Sequence, residues 1–252
     1  MSKKIAKIIL KNWILQKRSF GAHLATNRIY RKSQLTVISG PFKGLEYVEN
    51  STGGAYFPKL LGVYEKELNS IYEELRKVDF KKVVNVGGGE GYFAIGLARM
   101  FPNATVDVFE PGFYGCFLIE KMAKQNKVAN RVKINAKLCF ETDLQKSIEK
   151  NEPTLVVMDV EGAELQLLNP ATVSGLSHSH IVVEIHDTVS PTLGQTIIDR
   201  FANTHKLTEV WQEARSAADL PISPGMLKKS LVKLLDEGRG YKMRWFYFEP
   251  LK

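Results

Sequence analysis

Cysteine is scarce in this chain: two in 252 residues, Cys116 and Cys139, without a C-x-x-C spacing. That excludes a disulfide-stapled scaffold and a cysteine-rich zinc site, and it predicts two buried thiols in a reducing compartment. No run approaches the ~18 apolar residues of a membrane span. The amino terminus also lacks an apolar stretch followed by a small-residue cleavage site, so the expected location is cytoplasmic. Internal repeats and low-complexity segments are missing too. Acid is missing from one place in particular: residues 1–32 hold nine Lys or Arg and no Asp or Glu, while the remainder carries 26 basic against 27 acidic side chains. The formal charge of +8 therefore belongs to an arm. On a helix, Ile5, Ile8, Ile9 and Trp13 share one face, with Lys4, Lys7 and Lys11 mostly on others. Such an arm suits packing on its own domain or peripheral contact with a membrane surface, an anionic polymer or a partner groove.

What is present is a chain with 44% hydrophobic residues, enough to bury one sizeable α/β core. Its organising stretch is Lys82-Val83-Val84-Asn85-Val86-Gly87-Gly88-Gly89-Glu90-Gly91-Tyr92-Phe93. A β-branched run suits a buried parallel strand, glycines break it, and helical spacing resumes through Met100. Glycine serves a turn that needs positive φ and a ligand that must approach the backbone without meeting a Cβ. A second strand, Thr105 to Phe109, ends at Glu110, and a carboxylate there can accept hydrogen bonds from both ribose hydroxyls of an adenosine cofactor. Glycines at 87, 89 and 91 give G-x-G-x-G, whereas a dinucleotide fingerprint needs glycine at 92 and meets Tyr92. The pattern resembles motif I of class I S-adenosylmethionine-dependent methyltransferases. An acid usually stands where this chain has Asn85, so the cofactor's ammonium must find its counter-charge elsewhere. The cofactor contacts expected from the residues are Asn85, Gly87, Gly89, Glu90, Gly91 and Glu110.

Ahead of this stretch, residues 35–39 read as a short strand, 40–44 as a turn and 52–54 as a glycine-rich loop. A helix is expected from Pro58 to about Lys77, placing Tyr64 and Glu65 over the cofactor cleft, with Glu65 a source of the missing counter-charge. Beyond the second strand the pattern alternates: helix 112–126, strand 131–134, helix 143–150, strand 154–159, helix 162–168, strand 181–185, helix 192–202, strand 205–212, helix 225–235 and strand 244–248. Regular alternation predicts a mostly parallel sheet with helices on both faces. The domain reading is a basic arm with a strand and turn extension over 1–55, and a methyltransferase domain over 56–252.

In such sheets ligands sit beyond the strands' carboxyl ends. Strand four ends Met158-Asp159-Val160-Glu161-Gly162-Ala163-Glu164, and strand five ends Glu184-Ile185-His186-Asp187. These runs, paired with the glycine turn, resemble the FkbM-type methyltransferases over roughly residues 80–190. The resemblance implies a Rossmann-like, doubly wound, seven-stranded, mostly parallel sheet, with the last strand antiparallel between the fifth and sixth. It also implies S-adenosylmethionine as methyl donor and O-methylation of a hydroxyl on a sugar, glycan or natural product.

Deprotonating an alcohol requires a base or an acidifying cation near the methyl group. Glu161 and His186 are the candidate bases, with Asp159 beside them. Asp159, Glu184 and Asp187 are candidate oxygen ligands for Mg²⁺. Asp159 and Glu161 also suit the start of the 162–168 helix, and Glu164 is expected to do that alone. His23, His178, His180 and His205 read as structural. Arg239 and Arg244 are placed to hold an anionic acceptor. Competing readings are a nucleic-acid 2′-hydroxyl methyltransferase anchored by the arm, a cofactor-binding module without turnover, and an NAD-dependent oxidoreductase that Tyr92 disfavours.

Overall fold

The computed structural model describes residues 5–8, 20–52, 54–148 and 152–251. Seven strands form one sheet: β1 (Lys82–Val86), β2 (Thr105–Phe109), β3 (Val132–Asn135), β4 (Thr154–Met158), β5 (His180–Ile185), β6 (His205–Trp211) and β7 (Arg244–Pro250). Their order is β3-β2-β1-β4-β5-β7-β6. The first five are parallel, and β7 runs antiparallel between β5 and β6. The sheet is the one expected, last strand included.

Register decides where the site falls. Val86 lies level with Phe109 on one side and Met158 on the other, so the chain leaves β1, β2 and β4 at a common edge. Alternation sorts the strand side chains to two cores. Val83, Val106 and Leu155 join one cluster, and Val84, Val156 and Ile181 the other. The first cluster is covered by α1 (Phe20–Ser33), α2 (Tyr56–Leu61), α3 (Asn69–Leu75), α4 (Tyr92–Met100) and α5 (Phe113–Gln125). The second is closed by α6 (Glu141–Ser147), α7 (Glu164–Leu167) and α8 (Leu193–Phe201), while α9 (Lys228–Lys233) packs on α1.

Several expectations need correction. The strand at 35–39 is a single bridge, Thr36 to Glu46, because Gln34 and Leu35 carry positive φ and leave little extended backbone. The helix expected over 58–77 is broken. Gly62 ends α2 at φ 76°, Glu65 stands at φ 46°, and a 3-10 turn (Lys66–Leu68) leads into α3. The 225–235 helix is a 3-10 turn (Gly225–Leu227) followed by α9, and the 162–168 helix shrinks to the single turn of α7. Both cysteines are half-buried, free thiols. Of the arm's apolar stripe, Ile5 is buried in the first cluster and Ile8 packs against it. Ile9, Trp13, Lys4 and Lys11 lie outside the described residues. Among the described residues, no helix is long and apolar enough to cross a membrane.

Candidate active site

β1 delivers the chain into the glycine turn. Gly87 adopts φ 85°, and a Cβ there would lie 1.8 Å from the Asp159 carbonyl oxygen, so only glycine lets the β1 and β4 tips stay side by side. Glu110 holds the turn from β2: its Oε2 accepts from the Gly89 N–H at 2.7 Å and its Oε1 from the Gly112 N–H at 2.6 Å. Both carboxylate oxygens of the expected ribose acceptor are thus engaged by backbone amides. Gly91 caps α4 behind the turn, against Ile119 and Met122.

Above the turn lies an open cleft. Gly87, Gly88, Gly89 and Tyr64 line it, together with five carboxyl groups, Glu90, Asp159, Glu161, Glu184 and Glu237, against two cations, Lys59 and Arg239. Even with Glu184 neutral, its pKa raised to about 10, the remaining carboxyls outnumber the two cations, so the lining favours a cationic ligand. Glu90 is buried, accepting from Lys59 Nζ at 2.7 Å, from Thr52 N–H at 3.1 Å and from the Tyr47 hydroxyl. Burial pushes its pKa up, yet the Lys59 charge and these hydrogen bonds outweigh it and hold the carboxyl below its usual range.

Arg239 is a hub. It donates to Glu65 Oε1 at 2.7 Å, to Glu237 Oε2 at 3.1 Å and to Glu184, while its guanidinium faces the Tyr64 ring at 5.6 Å and Trp245 at 5.1 Å. Glu237 also accepts from Arg215, which leaves Arg239 shared between Glu65 and Glu184. Burial dominates, raising Glu65 to about 7 and Glu184 to about 10. Arg244 is likewise committed, to Asp187 at 2.7 and 2.8 Å and to Glu209 at 2.8 Å. Neither arginine is free for an anionic acceptor.

Asn85 and Glu65 do not line the cleft but an adjoining cavity that shares Phe93, Asp159 and Glu184 with it. Asn85 donates from Nδ2 to the Val157 carbonyl at 3.2 Å. Its Oδ1, with Glu184 Oε2, Tyr72 Oη and Trp245 Nε1, is buried without a hydrogen-bond partner among the described residues, and all four residues line this cavity.

Behind Asp159 and Glu161 of the cleft lining, His186 is buried at 3% exposure. Its Nδ1 lies 2.6 Å from Oε1 of the fully buried Glu164, which sets Nδ1 as the donor. Nε2 then points at Asp159 Oδ1 (3.7 Å) and Glu161 Oε2 (3.4 Å). Burial lowers the imidazole pKa, but the Glu164 hydrogen bond and the charges of Glu164, Asp159 and Glu161 prevail and raise it. Glu161 is the exposed member, its side chain 85% accessible, on a backbone held at φ 52° before Gly162 at φ 110°.

The ligand set Asp159, Glu184 and Asp187 is not what the fold assembles, because arginines hold the last two. Asp159, Glu161 and His186 converge instead, with one donor atom each inside 4.8 Å. That trio includes an imidazole and suits Mg²⁺, which prefers an all-oxygen shell, poorly. Sequence reasoning took Glu164 for a helix-start acid alone, where it is the buried partner of His186, and it missed Lys59 and Tyr47. For Glu164 the available signal was the i, i+3 spacing from Glu161, which places two carboxyls on one side of a turn; the partners of Lys59 and Tyr47 are remote in sequence.

No protein-family model and no curated protein matches the sequence. Among solved structures, the chain is similar to a provisionally named rRNA methylase from Clostridium thermocellum: 12% identity, 74% of this chain and 96% of that one, TM-score 0.51. It is also similar to precorrin-6y C5,15-methyltransferase from Geobacter metallireducens: 12% identity, 73% of this chain and 88% of that one, TM-score 0.50. At such identity the likeness is one of fold. With the strand order above, it makes this the fold of class I methyltransferases.

Proposed function

We propose that the cleft binds S-adenosylmethionine and that the protein methylates a hydroxyl on a sugar, glycan or natural-product acceptor. The observation that carries this reading is a convergence. Asp159 and Glu161, which touch His186 Nε2, line the same cleft as Gly87, Gly88 and Gly89. The donor would supply an electrophilic methyl group whose bond to sulfur breaks as a bond to the acceptor oxygen forms. A cofactor carrying sulfonium, ammonium and carboxylate is a net cation, matched to a lining of five carboxyl groups and two cations. Asn85 leaves the ammonium without the usual acid, and Asp159 on the cleft wall is a substitute. His186, with Nδ1 tied to Glu164, offers Nε2 to take the hydroxyl proton, and Asp159 and Glu161 stabilise the imidazolium that results. An RNA 2′-hydroxyl is the second reading, favoured by the basic residues 1–32, but the acidic cleft repels a phosphodiester.

The test is a methyl-transfer assay over a glycan and small-molecule panel, beside calorimetry with the donor. His186→Ala is expected to lose about 10²–10⁴ of the rate while still binding donor. Full activity in that variant, or no donor binding by the wild type, ends this reading. EDTA is expected to leave the rate unchanged; a loss restored by Mn²⁺ would assign Asp159, Glu161 and His186 to a metal instead.

A further inference from the structure

Ile5 and Ile8 are consumed by the protein's own core, so that part of the arm offers no apolar face to a partner. A different surface carries both apolar and basic character. α1 lies against the segment 220–235 in antiparallel fashion. A Cβ on Gly21 would come within 2.8 Å of Ser230 Oγ, while Arg28 donates to the Ser223 carbonyl at 2.5 Å and lies beside Gly225. Along this seam Phe20 is 69% exposed, Leu24 38%, and Met226 fully exposed. Phe20 and Leu24 stand one turn apart on the same helix face.

The charges on these two segments are all basic. α1 contributes Arg28, Arg31 and Lys32, and α9 contributes exposed Lys228, Lys229 and Lys233. The first acid in the chain is Glu46, and none occurs between Asp219 and Asp236. Those two are occupied: Asp219 pairs with Lys66 at 2.7 Å and Asp236 accepts from the Gly238 N–H at 2.9 Å.

We propose that this face docks on an anionic lipid bilayer. Phe20, Leu24 and Met226 enter the headgroup boundary, and the surrounding lysines and arginines meet lipid phosphates and carboxylates. A bilayer fits better than RNA because exposed Leu and Met side chains gain from an apolar phase and gain nothing from a phosphate backbone. With three apolar side chains and no lipid chain, the attachment is reversible. It stands whether or not the cleft transfers a methyl group.

The experiment is flotation of the full chain with vesicles of phosphatidylcholine alone and of phosphatidylcholine with phosphatidylserine. Binding is expected only with phosphatidylserine present, and raising the salt should release it. The combined variant Met226→Glu, Lys228→Glu, Lys229→Glu should bind at least about 25-fold more weakly, with an unchanged melting temperature. Phe20→Ser, on the other element, gives an independent loss should the triple variant fold poorly. Equal binding to both vesicle types, wild-type binding by both variants, or binding to a poly-uridine oligonucleotide without binding to vesicles would overturn the proposal.

Discussion

Glu164 and His186 illustrate how a buried pair sets reactivity one residue at a time. Glu164 sits at the start of a helix of four residues, which alone would make it a local cap, yet it is fully buried with Oε1 on His186 Nδ1. Its charge and hydrogen bond help lift the imidazole above the 6.5 of a free histidine. A rate that depends on neutral His186 therefore rises with pH through a value above 6.5. Glu164→Gln removes that charge, so the acid limb of the pH–rate profile is expected to move to lower pH. A profile identical to wild type would detach Glu164 from the base. The same scale explains why Asp187 and Arg244 misled the sequence reading. Each has the chemistry of a ligand-binding group, and only the antiparallel β5–β7 pairing, which sets Ile185 opposite Arg244, shows that they satisfy each other.

The break between α2 and α3 is the element on which the cleft depends. Continuous helix through residue 77 would carry Tyr64 and Glu65 past the strand edge; the break turns Glu65 inward to Arg239 and sets the Tyr64 ring on the cleft wall. Gly62 makes this possible. At φ 76° its N–H donates to the Lys59 carbonyl at 3.0 Å, and it closes against Ser39, whose carbonyl oxygen would be 1.9 Å from a Cβ. Gly62→Ala is expected to destabilise the fold by about 1–3 kcal/mol, measured by urea unfolding; a midpoint unchanged from wild type would mean the backbone relaxes freely there. Helical periodicity could not reveal this break, because Leu61, Leu68, Tyr72 and Leu75 keep the spacing of an unbroken helix. The central strands β1 and β4, in contrast, were legible: their apolar runs are buried on both faces and bounded by turn residues, so local pattern and tertiary burial agree.

For the whole molecule, the buried carboxyls around Arg239 make stability depend on pH. Glu65 titrates near 7 when folded, against 4.5 for an unperturbed glutamate, chiefly because of burial. A raised folded-state pKa contributes stability that is complete below about 4.5 and is lost as pH rises through about 7. Wild-type unfolding free energy should therefore decline between those values more steeply than that of Glu65→Gln; parallel curves would show that Glu65 does not titrate in this window. His186, raised in the same sense, adds a further loss above 6.5.

The amino-acid sequence by itself determined the layered α/β plan, the position of the glycine turn and the acidic strand tips, because these follow from short-range periodicity and from glycine's access to positive φ. Tertiary structure decided which acids are available. Charge partners separated by 55 or 174 residues, as in Arg239 with Glu184 and with Glu65, meet only when strand order and register bring them together. A carboxylate's chemistry depends on burial and on those partners rather than on its neighbours along the chain.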